Sequence, residues 1–321
     1  MKILLTGGLG YIGSHISYLL GEKAVIIDNK INSNLNYKKY LPKAKVYVKD
    51  LNSRNLSKIF LENKIEGVIH LAGLKSVSES VIDPLKYYKN NFLPTLDLLN
   101  SMKQFKIKKL IFSSSATVYG INNISPLGEN ISLSAHNPYG NTKIVIENLI
   151  RDFCNSYKNF KCISLRYFNP IGSEVTANLQ DQPLGKPQNL MPIILNAAKH
   201  NITFYINGND YKTKDGTCIR DYIHVKDLAN AHLKALNKIK KIQNFLPINI
   251  GLGKGKSVLE IIKIFQKVNK VKLKYKVTKR REGDIAEIYA DNSLALKFLN
   301  WKPKFSYEDM VKDAWRGYSN D

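Results

Sequence analysis

The chain has 321 residues, of which 44% are hydrophobic and 23% charged, so its size and composition exclude both a disulfide-stabilised miniprotein and a largely disordered chain. No apolar run approaches the roughly 20 residues that a membrane-spanning helix needs, and the first residues lack the pattern of a cleavable signal, so we expect a cytoplasmic protein without a membrane partner. Lys and Arg number 49 against 26 Asp and Glu, a net charge of +23 that would suit an anionic ligand.

Short apolar segments alternate with amphipathic segments through the first half of the chain. They predict buried strands over residues 3–6, 24–28, 45–48, 67–71, 109–113 and 161–165, with helices between them. Strands that alternate with helices are typical of a doubly wound parallel sheet. We therefore predict an α/β fold whose first domain, residues 1–165, is a Rossmann-like nucleotide-binding layer.

The pattern changes after Arg166. A polar segment with Pro and Gly, residues 169–189, predicts a long surface connection. Further strands are predicted over 203–206, 221–224 and 246–250, and further helices from Val225, Ser257 and Ser306. We expect residues 166–321 to form a smaller C-terminal α/β domain, with residues 221–250 returning to the first domain. Pro84 and Pro94 predict kinks in a helical stretch over 78–103.

A glycine-rich turn follows the first strand. The sequence Gly7-Gly8-Leu9-Gly10-Tyr11-Ile12-Gly13 lies between that strand and a helix, and Asp28 ends the second strand twenty positions after Gly8. Such glycines let the backbone approach a pyrophosphate, which the amide groups at the helix N-terminus then bind. A carboxylate at Asp28 accepts from ribose hydroxyls and repels the extra phosphate of NADP. The pattern therefore predicts NAD as the cofactor.

A second constellation predicts catalysis. Small hydroxyl residues run from Ser113 to Thr117 at the end of the fifth strand, and Tyr139 and Lys143 are spaced i, i+4 on a helix that Pro138 opens. A phenol has a pKa near ~10, which an adjacent ammonium and a positively charged nicotinamide both lower toward a usable base. Ser115 is placed to orient the proton of a substrate hydroxyl.

These motifs resemble the extended short-chain dehydrogenase/reductase family and, within it, the UDP-glucose 4-epimerases, along essentially the whole chain. The segments that carry the resemblance are Thr6 to His15, Ala72 to Lys75, Ser113 to Gly120, Pro138 to Lys143, Leu165 to Pro170, Asn189 to Pro192, Asp215 to Thr217, Arg220 to Val225 and Arg280-Arg281-Glu282-Gly283-Asp284. The resemblance implies reversible C4 epimerisation of UDP-glucose and UDP-galactose, through transient hydride transfer to tightly bound NAD and a 4-keto intermediate.

The resemblance also implies roles for individual residues. Tyr139 is the expected base, Lys143 holds the nicotinamide ribose, and Ser115 with Thr117 lies at the sugar 4-hydroxyl. Further cofactor contacts are expected from Gly7, Gly10, Tyr11, Ile12, Gly13, Asp28, Asn29, Asn32, Ser33, Asp50, Leu51, Leu71, Ala72, Gly73, Lys75, Asn90 and Phe168. Contacts to the UDP-sugar are expected from Lys75, Asn169, Asn189, Leu190, Tyr205, Asn207, Arg220, Tyr222, Val258, Arg281, Asp284 and Ile288.

Two further expectations come from the family. Ile288 stands where residue bulk limits the space for an N-acetyl group; its intermediate volume leaves activity on UDP-N-acetylglucosamine and UDP-N-acetylgalactosamine open. Relatives often form homodimers through two helices of the sheet layer, so we expect a homodimer. Cys154, Cys162 and Cys218 show no metal-ligand spacing, and no metal site is expected.

Rival functions remain at this level. A nucleotide-sugar 4,6-dehydratase also oxidises C4 but commonly carries an Asp-Glu pair where this chain has Ala116 and Thr117. Another rival is a nucleotide-sugar-modifying enzyme of the same family with a different outcome. A third is an NAD-responsive regulator or nucleic-acid binder; scattered lysines and the intact Ser115, Tyr139 and Lys143 speak against it, and we expect no nucleic-acid partner.

Overall fold

The computed structural model describes residues 2–121, 123–185, 187–281 and 284–319. Its strands are β1 (Lys2–Thr6), β2 (Ala24–Asp28), β3 (Lys45–Val48), β4 (Ile65–His70), β5 (Lys109–Ser115), β6 (Lys161–Tyr167), β7 (Asn169–Ile171), β8 (Phe204–Asn207), β9 (Ile219–Arg220), β10 (Tyr222–His224), β11 (Phe245–Ile250), β12 (Lys256–Ser257), β13 (Tyr275–Thr278) and β14 (Glu287–Ile288). Its α-helices are α1 (Tyr11–Leu20), α2 (Tyr37–Tyr40), α3 (Ser53–Glu62), α4 (Val77–Ile82), α5 (Pro84–Gln104), α6 (Pro138–Ser156), α7 (Leu190–Lys199), α8 (Val225–Lys238), α9 (Val258–Asn269), α10 (Ser293–Phe298) and α11 (Tyr307–Ser319).

A seven-stranded parallel sheet in the order β11-β6-β5-β4-β1-β2-β3 organises the fold. Successive side chains of a strand point to opposite faces, so Leu4 packs with the helices on one side and Leu5 with those on the other. One core contains residues of α1 and α8, and the other contains residues of α3, α5 and α6. The predicted doubly wound parallel sheet is thereby confirmed.

Two sequence expectations about burial are wrong. The strand predicted over 45–48 forms, but as β3 at the edge of the sheet, where Lys45 and Val48 are exposed because no further strand covers them. Residues 169–189 do not run wholly over the surface. β7 pairs in parallel with β10, and Ser173 and Leu179 are fully buried. A strand of three residues is too short for periodicity to reveal it.

The expected single helix with kinks is two helices. Pro84 does not kink a helix but opens α5, because a proline at the first helical position loses no hydrogen bond, and the Asp83 side chain caps the turn by accepting from the Lys86 amide at 3.0 Å. Pro94 lies inside α5, which continues to Gln104. None of the helices in the described part of the chain is long and apolar enough to span a bilayer.

A third core lies in the second half of the chain, among α7, α9 and α11. Three small sheets accompany it: β7 with β10, β8 with β13, and β12-β9-β14. β11, by contrast, pairs with β6 in the large sheet, with Ile248 opposite Leu165. The division into domains at residue 165 stays a prediction.

Candidate active site at the sheet edge

The glycine loop after β1 is packed so tightly that side chains do not fit. Gly7 has φ +71°, and a Cβ at Gly13 would lie 2.3 Å from the Gly7 carbonyl oxygen. Gly10 caps α1 without a side-chain hydrogen bond, and the first turn of α1 carries no acidic residue. No acidic side chain of α1 therefore competes for the backbone amides at this helix N-terminus, which suits the binding of a pyrophosphate.

Asp28 lies beside this loop at the end of β2. Its carboxylate accepts from the Leu9 amide at 3.0 Å and from the Lys30 amide at 2.7 Å. Burial raises the pKa of Asp28, and these two hydrogen bonds oppose the rise. Ser33 donates to the Leu9 carbonyl at 2.6 Å. The carboxylate is thus held next to the glycine loop.

Other residues predicted to contact the cofactor lie around the same edge. Asn29 donates to Asp50 at 2.9 Å, and the exposed Asn32 and half-buried Leu51 lie near the ends of β2 and β3 in sequence. Leu71, Ala72 and Gly73 follow β4; Ala72 donates to the Thr6 hydroxyl at 3.3 Å, and a Cβ at Gly73 would lie 3.0 Å from Asn91 Oδ1. Asn90, on α5, donates to the Lys86 carbonyl at 2.8 Å.

The predicted catalytic residues meet at the end of β5. Ser115 Oγ accepts from the Thr117 amide at 3.3 Å and from Thr117 Oγ1 at 3.0 Å. Tyr139 and Lys143 lie one turn apart on α6 and are buried, and Tyr139 is hydrogen-bonded to Ser115. Lys143 Nζ donates to the Ser113 carbonyl at 2.9 Å. Two elements far apart in sequence therefore bring a phenol, a hydroxyl and an ammonium together.

The sequence predicts a lowered pKa for the phenol of Tyr139. For the protein without a bound cofactor this prediction is wrong. Burial raises the pKa of Tyr139, and the hydrogen bond from Ser115 opposes this only partly. Burial also lowers the pKa of Lys143 to about 8, against the opposing charge of Glu147. Loss of water is the largest cause of both shifts, because it disfavours the phenolate of Tyr139 and the ammonium of Lys143.

The residues predicted to bind the UDP portion lie in the second half of the chain. Asp284 Oδ1 accepts from Arg281 at 2.8 Å and lies 3.5 Å from Arg220, and Arg220 also donates to the Ile285 carbonyl at 2.8 Å. Ile288 pairs with Arg220 between β14 and β9. Ile288 packs against a small cluster that contains Ala116 and Phe168. Glu282 and Gly283 of the same motif lie outside the described residues.

The remaining predicted substrate residues occupy three other elements. Asn169 is exposed at the start of β7, and Asn189 is exposed as the N-cap of α7, which begins at Leu190. Tyr205 and Asn207 are exposed on β8, and the half-buried Val258 begins α9. Tyr222 is buried in β10, and its hydroxyl makes no hydrogen bond within the described part of the chain.

Sequence reasoning missed several residues near the site. Tyr211 is buried, its hydroxyl has no hydrogen-bond partner among the described residues, and the charges of Asp284 and Arg220 act on it. Asp181 lies 3.6 Å from Lys75. Asp181 falls in the segment that was predicted to be a surface connection, so no ligand contact was expected from it. Tyr211 stands four positions before the motif that begins at Asp215. No group of three metal-ligating side chains occurs among the residues that the structure describes.

The chain is similar to known proteins over its whole length. The model of the NAD dependent epimerase/dehydratase family matches residues 3–251. The UDP-glucose 4-epimerase of Bacillus subtilis strain 168 is 44% identical over 331 aligned positions, which cover 100% of this chain and 98% of the relative. A crystal structure of the UDP-glucose 4-epimerase from Stenotrophomonas maltophila with bound NAD and formylated UDP-arabinopyranose has a TM-score of 0.96 at 38% identity, covering 100% of this chain and 98% of that one. The enzyme from Bifidobacterium longum, in complex with NAD+ and UDP, has a TM-score of 0.94 at 38% identity and covers 100% and 99%.

Proposed function

This chain belongs to the NAD dependent epimerase/dehydratase family, and we propose its function from that membership and from the geometry of the site. Within that family it is a UDP-glucose 4-epimerase, an isomerase that uses NAD to invert C4 of UDP-glucose and UDP-galactose. The observation that supports this best is the meeting of Ser115, Tyr139 and Lys143 at the sheet edge that also carries the glycine loop. The carboxyl edge of a doubly wound sheet is where such folds bind their ligands.

Tyr139 acts as the base that takes the proton of the sugar 4-hydroxyl and later returns it. Ser115 is hydrogen-bonded to Tyr139 and orients that hydroxyl. NAD, when bound, accepts the C4 hydride and gives it back to the other face of the sugar, so no net oxidation occurs. Because burial raises the pKa of Tyr139 in the protein alone, the lowering that a base needs comes from the positive charge of the bound nicotinamide together with that of the Lys143 ammonium, which lies 5.8 Å from the centre of the Tyr139 ring.

The substrate is held by its nucleotide end. Arg220 and Arg281 engage the diphosphate, for which guanidinium groups suit because they bind oxygen pairs. Asp284, which both arginines contact, accepts from a ribose hydroxyl. The other substrate contacts are Lys75, Asn169, Asn189, Leu190, Tyr205, Asn207, Tyr222 and Val258. A hexose held this way is free to turn about the diphosphate while the ketone stays in the site.

Ile288 limits the space beside the hexose. Its contact cluster includes Ala116 and Phe168, which follow Ser115 and precede Asn169 in the chain. Isoleucine is smaller than tyrosine and larger than glycine, so the site is built for UDP-glucose and UDP-galactose with limited room for an N-acetyl group.

The protein forms a homodimer through two helices of the sheet layer, α5 and α6, with the short helix α4 packed beside them. Large apolar side chains are exposed on these helices: Val81, Ile82, Leu85, Leu93 and Val145. Ile82 is 84% exposed and Leu85 80%, and exposed apolar side chains on neighbouring helices are typical of a surface that another chain covers. A cytoplasmic location stays a prediction from the sequence.

The position next to Ser115 favours epimerisation over dehydration. Elimination of water needs an added acid and base, commonly an Asp-Glu pair at this place. Here Ala116 is buried and the Thr117 hydroxyl donates to Ser115 Oγ at 3.0 Å, so neither residue supplies a carboxyl group.

The experiment that tests the function is conversion of UDP-galactose by the purified protein, with and without added NAD, followed by the anomeric proton signals in NMR. We expect UDP-glucose to form in the wild type and Tyr139→Phe to lose at least about a hundredfold in kcat. Tyr18→Phe, on an exposed tyrosine of α1, is the matched control and should keep wild-type turnover. Formation of a 4-keto-6-deoxy sugar, or undiminished turnover in Tyr139→Phe, contradicts the proposal.

A further inference from the structure

A fully buried ion pair joins α6, the helix that carries Tyr139 and Lys143, to β6. Glu147 is on α6, one turn after Lys143, and Arg166 is on β6. Arg166 Nη2 lies 2.6 Å from Glu147 Oε2, and Arg166 Nε lies 3.0 Å from Oε1, while both side chains are 2% exposed or less. Ser164 donates to Glu147 Oε1 at 2.9 Å. A buried ion pair stabilises a fold little more than an apolar pair of similar volume. Stability alone therefore does not explain why Glu147 and Arg166 are buried here.

The other end of Arg166 reaches a different element. Arg166 Nη1 donates to Tyr119 Oη at 3.2 Å and to the Glu129 carbonyl at 3.1 Å. Tyr119 ends the 3-10 turn over Ala116–Tyr119, which directly follows Ser115, and its hydroxyl donates to Asn249 Oδ1 at 2.6 Å. One guanidinium therefore joins the helix that carries Tyr139 and Lys143 to the turn that carries Thr117.

We propose that Glu147 is a positioning residue for the epimerase reaction, which holds α6 in register with the Ser115 turn through Arg166 and supplies the anion that keeps the Lys143 ammonium charged. This proposal rests on the proposed function, because it assigns Glu147 a role in the same site. Glu147 itself has no part in proton or hydride transfer; it acts through Arg166 and Lys143.

The charges around Lys143 support the second part. Burial lowers the pKa of Lys143 to about 8, and Glu147 is the charged group whose field opposes that effect. Lys143 Nζ lies 5.0 Å from the ring centroid of Phe112 on β5 and 5.8 Å from that of Tyr139 on α6.

The other titratable groups nearby are neutral. His70 on β4 has a pKa of about 3, lowered first by burial and then by the charge of Lys143. His232 on α8 has a pKa of about 4 and lies 3.4 Å from Ser113 Oγ. Tyr167 and Cys162 on β6 have pKa values raised by burial. Within the described part of the chain, Glu147 is therefore the anion that sustains the Lys143 ammonium.

The sign of the expected effect follows from these charges. Replacing Glu147 by Gln removes the anion and leaves the Arg166 cation in place. Both changes lower the pKa of Lys143 further below about 8, so Lys143 loses its proton nearer neutral pH. The alkaline limb of the pH profile, where activity falls as Lys143 becomes neutral, should move to lower pH.

The test compares three variants of the NAD-loaded protein over pH 6 to 10, with UDP-galactose as substrate. Glu147→Gln should move the alkaline limb of kcat down by about one pH unit or more and reduce kcat about tenfold at pH 7.5, with KM within about twofold, because no UDP-binding residue is touched. Glu147→Asp keeps the charge and should keep the limb while kcat falls. Ser164→Ala removes one hydrogen bond to Glu147 but no charge, and should also keep the limb.

An active, folded Glu147→Gln protein with a wild-type alkaline limb overturns the role of Glu147. If Glu147→Gln does not fold, the double variant Glu147→Gln/Arg166→Gln replaces the ion pair by a neutral pair, and a downward shift smaller than that of Glu147→Gln is expected, because the Arg166 cation is removed together with the Glu147 anion. A wild type that does not convert UDP-galactose overturns the proposed function instead, so the two failures are distinguishable.

Discussion

The ammonium of Lys75 lies 3.6 Å from a carboxylate oxygen of Asp181, an ion pair that joins the loop after β4 to the segment between β7 and α7. Both partners belong to chain segments at the edge where cofactor and substrate are proposed to bind. Lys75 is half exposed, whereas Asp181 is largely buried. If Lys75 contacts the ligand, it has to leave Asp181, and the ion pair then competes with binding.

Asp181→Asn should therefore strengthen binding of UDP to the NAD-loaded protein. Because the Lys75 ammonium is half exposed, the ion pair is screened as a surface pair is and stabilises by about 0–1 kcal/mol, so the dissociation constant should fall by no more than about fivefold. Isothermal titration with UDP measures it. In a Lys75→Met background, which has no ion pair to lose, Asp181→Asn should change nothing; a gain that persists there shows that Asp181 acts by another route.

Asp28 offers a test of cofactor choice. Its two oxygens accept from the Leu9 and Lys30 amides, and an asparagine has only one acceptor oxygen for these two donors. Asp28→Asn should weaken NAD by about tenfold and reduce the preference for NAD over NADP, because the repelling charge is gone. Fluorescence titration of cofactor-stripped protein measures both constants. Asp50→Asn, on an exposed side chain, should have the smaller effect; unchanged discrimination in Asp28→Asn would count against the assignment.

Ile288 offers a test of substrate choice. Ile288→Gly should raise kcat/KM for UDP-N-acetylglucosamine relative to UDP-glucose by about tenfold, since the lost side chain vacates space next to Ala116 and Phe168. Ile288→Tyr should lower the same ratio, and Ile288→Val should leave it within about twofold. Coupled assays with both substrates give the ratios. An identical ratio in the glycine and tyrosine variants would show that Ile288 does not limit the pocket.

The proposed dimer is tested at the exposed apolar patch. Leu85→Glu places a charge at a side chain that is 80% exposed, so the fold of the monomer should be preserved while the interface is broken. Light scattering should give a dimer for the wild type and a monomer of 36.5 kDa for the variant. Leu61→Glu, on an equally exposed leucine of α3, is the control and should leave the dimer intact. A wild type that is already monomeric sinks the proposal.

Sequence patterns predicted most strands of the large sheet, but they did not predict which strands lie at its edge. The bounds predicted for β2 and β3 match the structure, since a glycine-rich or polar segment flanks each apolar run. That β3 is an edge strand depends on strand order, which periodicity does not encode. Tyr139 and Lys143 could be predicted as neighbours because their i, i+4 spacing places them on one face of a helix. Ser115 could be predicted because it lies at the end of the fifth strand.

The sequence alone could not predict how burial and partners distant in sequence change the charges and pKa values of the site. Glu147 stands at i+4 from Lys143, but its partner Arg166 is 19 positions further on, and only the packing of α6 on β6 brings the two together. The rise in the pKa of Tyr139 is likewise a consequence of lost water, which depends on what α6 packs against. The site was therefore predictable as a set of residues but not as an electrostatic environment.

Buried histidines make the stability of the fold depend on pH. His15, His70 and His232 are almost completely buried, and burial lowers their pKa values to about 4, 3 and 4, respectively. His232 Nδ1 donates to the Leu228 carbonyl at 2.9 Å, and one neutral tautomer of the ring makes this hydrogen bond without a charge. An unfolded histidine takes up a proton below pH ~6.5, whereas these rings do not until the pH is near their folded values. Each one therefore stabilises the fold above pH ~6.5 and loses that contribution as the pH falls toward about 4.

Asp221 works in the opposite direction, because burial raises its pKa to about 7 and the folded chain keeps a proton that the unfolded chain has lost. A comparison with His232→Leu isolates one histidine from these other groups. Between pH 6 and 5 the free energy of unfolding should fall more steeply in the wild type than in His232→Leu, by about 1.4 kcal/mol per pH unit, the value for one proton. Urea unfolding at pH 7.5, 6.0, 5.5 and 5.0 measures both slopes. Equal slopes would mean that His232 binds its proton as readily in the folded chain as in the unfolded one.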